Sequence, residues 1–259
     1  MKKFTKLTAF ALALVMALGL LAGCGSSNSD NSTPSGDDTA KTKLVVATSP
    51  DFPPFESLES GEVVGIEVDI LNKIAEKMGM ELDIQQMDFD SVIPGVQAGK
   101  FDVGMSGITV TDKRKENVDF SSVYFMAAQA IVVTDDSGIT GKADLEGKKV
   151  SVQTGTTAEE YCMGNGYEVL AFTANNDAAA ALTSGKVDAW VVDNEVALAM
   201  APELGLTVLD EAMTSEPYAF AFQKGSELVA PFNEALDALL ADGTIEQIFQ
   251  QYGVTYIAP

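Results

Sequence analysis

The 259-residue sequence contains no histidine, and its basic residues are few. Without histidine the chain cannot build a Ser-His-Asp or Cys-His catalytic centre, nor a histidine-ligated zinc site. Lys and Arg together number 16 against 38 Asp and Glu, which gives a net charge of −22. Nucleic acid is a poor partner for a surface of that sign. Neither a metal nor a cofactor is expected.

The apolar run near the N-terminus, residues 9–21, is shorter than the roughly 20 residues that span a bilayer. It follows Lys2 and Lys3 and leads into Leu21-Ala22-Gly23-Cys24. A basic start, a short apolar stretch and small residues before a cleavage site are typical of a secretory signal peptide. The last four residues resemble the bacterial lipobox, in which the cysteine becomes the lipid-bearing first residue of the mature protein.

This resemblance implies a signal peptide at residues 1–23 and a lipid on Cys24. It places the protein at the extracellular face of the cell membrane, or at the periplasmic side where the cell has an outer membrane. Lipidation leaves Cys162 as a single thiol, which cannot close an internal disulfide and is predicted to pack inside a helix. Residues 24–43 are almost free of apolar side chains, which predicts a flexible tether.

Hydrophobic residues make up 46% of the whole sequence. The chain that follows the predicted tether alternates between strand and helix patterns. Its first half predicts strands at residues 44–48, 81–87 and 101–105. Apolar residues at helical spacing predict a helix that ends at Gly79, and Asp90 and Ser91 predict the cap of another, with Pro94 in its first turn. The second half repeats the order, with strands at 149–153 and 187–192 and helices from 158 and over 175–183.

Two copies of this alternation predict an α/β protein with two lobes, each built on a parallel sheet with helices on both faces. The C-terminal segment, residues 226–251, has helical spacing with a break at Asp242-Gly243 and is expected to pack back on the first lobe.

Ligands of open α/β sheets bind beyond the carboxyl ends of the strands, and four loops with polar side chains leave such ends here. Arg114 follows a predicted cap at Thr111 or Asp112; its guanidinium suits a carboxylate ligand, and the alternative is one more charge in a basic surface turn. Residues 153–157 present free N–H groups at a helix start, where an anion is favoured. Asp193 can accept an ammonium group, or it can cap the next helix.

The loop at residues 49–55 supplies aromatic candidates. Phe52 can wall a pocket or pack in the core, and core packing is favoured for Phe55. For Asp51 and Glu56, a solvated position is favoured over a place in the pocket. A cation clamp for carboxylate together with an acceptor for ammonium would make an amino-acid site.

Seven strings along the chain resemble the family 3 extracellular solute-binding proteins, the amino-acid receptors of ABC importers. The match covers about residues 44–256. In order, the strings are Val45-Val-Ala-Thr with Phe52-Pro-Pro-Phe-Glu, Val64-Gly-Ile-Glu-Val-Asp-Ile, Met87-Asp-Phe-Asp-Ser-Val-Ile-Pro, Ser106-Gly-Ile-Thr-Val-Thr-Asp-Lys-Arg, Val118-Asp-Phe-Ser, Gly155-Thr-Thr and Val192-Asp193.

The resemblance implies a two-lobed periplasmic-binding-protein-like fold of type II. It implies one lobe at residues 44–124 and 219–259, another at 125–218, and a hinge of two crossings near 124–129 and 216–220. An amino acid would bind between the lobes and pass to a membrane permease. The protein is expected to be a monomer.

The resemblance also implies the roles of individual side chains. Arg114 would pair with the ligand carboxylate, assisted by Thr109 and the amide of Thr157. Asp193 would receive the ammonium group, helped by the backbone of Gly107. The remaining candidates are two aromatic residues that would pack on the ligand and two polar residues that could select its side chain: Phe52, Phe89, Ser49 and Gln153.

The identity of the amino acid stays open at this stage. Members that bind basic amino acids often carry Asp where this chain has Ser49, which puts a preference for Lys or Arg in doubt, whereas Ser49 and Gln153 could favour a polar neutral side chain. The chain is not expected to be an enzyme. Two alternatives are a dehydratase-like enzyme of the same fold, with Lys148, Glu159 and Glu160 as available acid and base groups, and an amino-acid-sensing receptor module.

Overall fold

The computed structural model describes residues 43–259. The predicted signal peptide, Cys24 and nearly all of the predicted tether lie outside these residues. The described strands, in chain order, are β1 (Lys43–Thr48), β2 (Asp51–Phe52), β3 (Glu56–Glu59), β4 (Glu62–Val64), β5 (Glu81–Gln86), β6 (Val103–Gly104), β7 (Val118–Phe120), β8 (Phe125–Ala127), β9 (Gln129–Val133), β10 (Lys149–Gln153), β11 (Glu168–Phe172), β12 (Ala189–Asp193), β13 (Thr207–Val208), β14 (Glu216–Tyr218) and β15 (Ala221–Gln223).

Eight α-helices alternate with these strands over the described range. They are α1 (Ile66–Met78), α2 (Phe89–Gln97), α3 (Asp112–Lys115), α4 (Thr157–Gly164), α5 (Asn175–Thr183), α6 (Asn194–Met200), α7 (Val229–Ala241) and α8 (Thr244–Gln251), with 3-10 turns at Lys142–Leu145 and Pro202–Leu204. None of the helices within residues 43–259 is both long enough and apolar enough to cross a membrane.

Two five-stranded sheets form the framework, which confirms the two-lobed α/β fold. The first has the order β5-β1-β6-β15-β7, and the second β11-β10-β12-β9-β13. In each sheet the strand next to the edge strand β5 or β11, namely β1 or β10, pairs in parallel with both of its neighbours. This repeated arrangement corresponds to the repeated strand–helix order of the sequence.

The prediction of purely parallel sheets was wrong in one respect. β15 runs antiparallel to β6 and β7, and β9 runs antiparallel to β12 and β13. Both antiparallel strands directly follow a passage of the chain from one sheet to the other. Such a strand enters its sheet from the opposite end, so no crossover helix precedes it.

The two passages between the sheets lie side by side. β8 and β14 pair with each other as a two-stranded antiparallel ribbon, with Glu216 opposite Ala127 and Tyr218 opposite Phe125. Tyr218 and Phe125 are fully buried, and their rings approach to 5.9 Å between centroids. The predicted crossings near residues 124–129 and 216–220 thus form one connected structure.

The C-terminal helices pack back on the part of the molecule that contains the first sheet, as predicted. Both α7 and α8 contact α1. Phe249 of α8 is fully buried and stacks on Phe125 at 4.6 Å between ring centroids, with the ring of Phe55 at 6.1 Å. The core packing expected of Phe55 is confirmed, because this aromatic cluster encloses it completely.

Helix α2 departs from the prediction at its start. It begins at Phe89, with Asp88 at the N-cap position, so Pro94 lies inside the helix and beyond the first turn. Proline costs a helix the hydrogen bond to the residue four positions earlier, which here is Asp90 on the exposed side. Val92 and Val96 of this helix remain fully buried against the first sheet.

Candidate ligand-binding site

A cavity with about 350 Å³ of empty space, part of it open to solvent, lies where the carboxyl ends of strands from both sheets meet. Its location agrees with the rule that ligands of open α/β sheets bind beyond the carboxyl ends of the strands. The residues that line it are Phe52, Phe89, Ser106, Gly107, Thr109, Arg114, Gln153, Thr156, Thr157, Ala158, Asn175, Val191, Val192 and Asp193.

Arg114 is the one Lys or Arg among these lining residues. The hydroxyl of Thr111 caps the short helix α3 by accepting the N–H of Arg114 at 3.1 Å, as the sequence predicted. The guanidinium donates to the carbonyl of Thr109 at 2.9 Å and to that of Gly155 at 3.1 Å, and it lies 5.6 Å from the ring centre of Phe89. Burial lowers the pKa of Arg114 from its ordinary value, and the negative charges of Glu160, Glu216 and Asp193 oppose that change.

Asp193 ends β12 and occupies the N-cap position of α6, but its side chain does not cap that helix. Its carboxylate instead accepts hydrogen bonds from the amide of Gln129 and the hydroxyl of Tyr218, and only 6% of the residue is exposed. The pKa of Asp193 is raised to about 7, because burial and the charge of Glu216 raise it by more than Tyr218, Arg114 and Gln129 lower it. The capping alternative therefore does not describe this carboxylate.

Gly107 brings the backbone to the cavity wall. Its φ of +52° lies in the left-handed region, and a Cβ at this position would come within 2.5 Å of the Phe52 ring. Only glycine fits this combination of backbone angle and close approach. The next lining residue, Thr109, is held by a β-bridge to Tyr218.

Helix α4 begins at Thr157, one residue before the predicted start. Thr156 caps it by accepting the N–H of Glu159 at 3.2 Å. The first-turn N–H groups of a helix have no partners within the helix, so this end favours an anion. The cavity therefore has two positive features, the guanidinium of Arg114 and the start of α4.

Asp51, which follows the first strand of the first sheet, contacts residues of the second sheet and its helix α5 beside this cavity. Asp51 of β2 accepts the backbone N–H of Asn175, at the start of α5, at 2.7 Å, and the amide of Gln153 lies 3.4 Å from both carboxylate oxygens. Asn175 in turn donates to the side-chain oxygen of Gln153 at 3.0 Å. Burial raises the pKa of Asp51, whereas its hydrogen bonds lower it.

The favoured expectation that Asp51 and Glu56 are solvated was wrong. Asp51 is partly buried in the contacts just described, and Glu56 is completely buried. Glu56 accepts a hydrogen bond from Ser106, a lining residue, at 2.9 Å. Alternation of side chains along β3 turns Glu56 inward, and that strand was not among the predicted elements.

Eight of the nine residues predicted to bind a ligand line the cavity, and Ser49 does not. Ser49 lies behind the wall, where its N–H donates to the hydroxyl of Ser106 at 2.9 Å. Cys162 is buried and forms no disulfide, and burial raises the pKa of its thiol to about 12. Over the described part of the chain, no group of three or more Cys, Asp or Glu side chains is arranged to hold a metal.

Several contributors had been missed. Asn175 begins α5, shortly after β11 at residues 168–172, and β11 was not among the predicted strands. Gln129 and Tyr218, which hold Asp193, belong to the antiparallel strand β9 and the ribbon strand β14. No local pattern in the sequence marks these two residues, because their position depends on how the chain passes between the sheets.

Comparisons with known proteins agree with this geometry. The model of the bacterial extracellular solute-binding proteins, family 3, matches residues 44–255. The arginine-binding extracellular protein ArtP of Bacillus subtilis is 35% identical over 240 residues, which cover 90% of this chain and 92% of that protein. The ABC transporter glutamine-binding protein GlnH of the same organism is 34% identical over 264 residues, covering 95% of this chain and 97% of that protein.

Solved structures show the same similarity. An ancestral arginine-binding protein is 41% identical to this chain, and the match covers 82% of this chain and 98% of that one. Its structure bound to glutamine superposes with a TM-score of 0.77, and its structure bound to arginine with 0.76. With a family model that spans almost all described residues and relatives that match over most of their length, the chain belongs to family 3 of the bacterial extracellular solute-binding proteins.

Proposed function

We propose that the protein is an extracellular receptor that binds a free amino acid between its two lobes and delivers it to an ABC import permease. The observation that carries this proposal is one cavity with a single cation, Arg114, and a buried carboxylate, Asp193. These two groups match the two charged ends of an amino acid. An unpaired charge is costly to bury, so both ends of the ligand require a partner.

The proposed binding roles are those that the family resemblance implies, and the lining of the cavity supports them. Arg114 and the start of α4 at Thr157 take the ligand carboxylate, with Thr109 beside them, whereas Asp193 and the backbone of Gly107 take the ammonium group. Phe52 and Phe89 pack on the ligand. Gln153 and Asn175 are the polar residues that we propose to contact the ligand side chain. Asn175 takes the place of Ser49, because Ser49 does not line the cavity.

We propose a cationic side chain for the ligand, with arginine as the first candidate. Four carboxyl groups other than Glu56 lie at the cavity or act on its wall, against one lining cation: Asp193 lines the cavity, Asp51 and Glu67 hydrogen-bond to lining residues, and the charge of Glu216 acts on Asp193. This excess of negative charge favours a ligand with net positive charge. Glutamine is the second candidate, because the amides of Gln153 and Asn175 suit an amide side chain.

The proposed lobes are residues 44–124 with 219–259, and residues 125–218, with the β8–β14 ribbon as the hinge. Membership of the strands in the two sheets supports these limits. Hinge closure around a ligand is a common movement of binding proteins with this design. On this proposal, contacts such as the hydrogen bond between Asp51 and Asn175 join the two lobes in the closed form.

A dehydratase-like enzyme is disfavoured by the positions of its candidate groups. Glu159 accepts the N–H of Gly155 at 2.7 Å, and Glu160 forms an ion pair with Lys113 on the exterior. Neither these residues nor Lys148 lines the cavity. We therefore propose a receptor without catalytic activity, and we favour transport over the alternative role as a sensing module.

A thermal-shift panel of residues 25–259 tests the receptor function and the ligand class together. The panel contains the twenty amino acids with ornithine, citrulline and cystine. A ligand at about 100 times its dissociation constant adds about 2.7 kcal/mol of stability, which is a shift of several degrees. Arginine should give a larger shift than citrulline, its uncharged isostere. A larger shift with citrulline or glutamine would reject the cationic ligand, and no shift with any member, in protein free of bound ligand, would reject the amino-acid receptor.

Arg114→Ala should weaken amino-acid binding by about two to four powers of ten, because it leaves the ligand carboxylate without its buried charge partner. Isothermal titration calorimetry on the ligand identified by the panel measures the change. Lys115→Ala is the matched control, since Lys115 lies next to Arg114 on α3 but is exposed and forms an ion pair with the exposed Asp112. Retention of affinity within about threefold in Arg114→Ala would contradict the assignment.

Ligand affinity should rise with pH between about pH 6 and about pH 8. A pKa of about 7 means that Asp193 is largely protonated below that pH, and the proton competes with the ligand ammonium for the carboxylate. Calorimetry in buffers of different ionisation enthalpy should show proton release on binding near pH 6. Asp193→Asn should bind weakly with a flat pH profile; a flat profile in the wild-type protein would exclude this competition.

We also propose that Cys24 carries the lipid anchor and that residues 1–23 are removed as the signal peptide. In cells supplied with labelled palmitate, the wild-type protein should incorporate label and sediment with membranes. Cys24→Ala should lose both properties, whereas Cys162→Ala should keep them because its thiol is buried in the fold. Labelling that persists in Cys24→Ala would refute the anchor without bearing on ligand binding.

A further inference from the structure

Two glutamates lie fully buried behind the cavity wall. Glu56, at the start of β3, and Glu67, in the first turn of α1, both have 0% of their surface exposed. Each contacts one of two consecutive lining residues. The hydroxyl of Ser106 donates to Glu56 at 2.9 Å, and the backbone N–H of Gly107 donates to Glu67 at 2.9 Å.

The remaining oxygen atoms of the pair show an imbalance between donors and acceptors. Tyr124 donates its hydroxyl to the second oxygen of Glu67 at 2.5 Å, so both oxygens of that carboxylate accept a hydrogen bond. Among the described residues no donor reaches Oε2 of Glu56, although this atom is buried. Glu67 is the neighbouring carboxylate with which Glu56 interacts, and a hydrogen bond between two such acceptor groups needs a proton.

Electrostatics indicate where that proton resides. Burial raises the pKa of Glu56 well above its ordinary value, and the neighbouring carboxylates of Glu67 and Asp51 raise it further. Burial, together with Glu67, also raises the pKa of Tyr124 well above its ordinary value, so the tyrosine stays a donor. Two adjacent carboxylates cannot both ionise in such surroundings without a large cost.

We propose that Glu56 and Glu67 share one proton at neutral pH, carried on Glu56, and that this pair positions the Ser106–Gly107 backbone for the ligand. The inference rests on the proposed amino-acid site, to which Gly107 contributes its backbone. Glu67 acts as a positioning residue through Gly107, and Glu56 acts through Ser106 and Glu67. The backbone of Gly107 has little room to move, because it adopts a left-handed conformation and lies close to the ring of Phe52.

Infrared difference spectroscopy of the ligand-free protein tests the shared proton without any ligand. The wild-type spectrum minus that of Glu56→Gln should contain the C=O band of a protonated carboxyl group at pH 7. Taking the difference removes the contribution of Asp193, which also titrates near that pH. Absence of the band would overturn the proposal.

Stability measurements give a second readout that is independent of the ligand. A carboxyl group whose pKa is raised on folding contributes stability below its unfolded pKa, about 4.5, and loses it as the pH rises through the folded value. Between about pH 5 and about pH 8, the free energy of unfolding should therefore fall more in the wild type than in Glu56→Gln, which cannot ionise. Equal slopes would overturn the proposal. Glu62→Gln, on the exposed part of β4, is the control and should follow the wild type.

Binding of arginine separates a positioning role from a structural one. Glu56→Gln, which imitates the protonated carboxyl group, should bind within about threefold of the wild type, whereas Glu67→Gln should bind about tenfold or more weakly, because it loses a charged acceptor for Gly107. Equal affinity in Glu67→Gln, or equal losses in both variants, would overturn the positioning role. If the wild type does not bind arginine, the proposed ligand fails, and the spectra and the stability slopes still decide on the proton.

Discussion

The cost of holding charge in the interior is the constraint on which this site depends. Asp193 lies at the end of a buried strand, and without a ligand it meets the dipoles of Gln129 and Tyr218 and the more distant charge of Arg114. These partners do not offset the cost of burying the charge, so the pKa of Asp193 is raised to about 7. A cationic group placed against Asp193 would remove that penalty, and binding energy of this kind is available only to ligands with an ammonium group at that position.

The fold meets this constraint by drawing its charged groups from separate elements. Arg114 lies in the four-residue helix α3, between two strands of the first sheet, and Asp193 ends a strand of the second. Neither side chain is satisfied by its own element, since Asp193 does not cap α6 and the guanidinium of Arg114 donates to carbonyl groups outside α3. The sequence had left open a helix cap for Asp193 and a surface turn for Arg114, and the contacts of these side chains in the structure agree with neither alternative.

The sequence predicted what local patterns determine. The boundaries of β10 and α5 agree with the predicted ones, and turns at strand ends pointed to Arg114, Thr157 and Asp193, which line one cavity. The other predicted residues that line it came from the resemblance to the family and not from a local signal. Features that depend on the path of the chain were not predictable in this way. The antiparallel strands β9 and β15, and with them Gln129, follow from passages between sheets. Glu56 was misjudged because a short strand of four residues gives too little periodicity to show which face is buried.

The polar groups of the site hydrogen-bond to other groups of the protein. Arg114 donates to the carbonyl groups of Thr109 and Gly155, and Asp193 accepts from Gln129 and Tyr218. A ligand must therefore exchange these contacts for its own, and only the difference contributes to affinity. Neutral donors and acceptors are weaker partners than charged ones, so the exchange favours a ligand with both charges. On the proposed function, selectivity for a zwitterion arises because the hydrogen-bond partners of Arg114 and Asp193 within the protein are neutral groups.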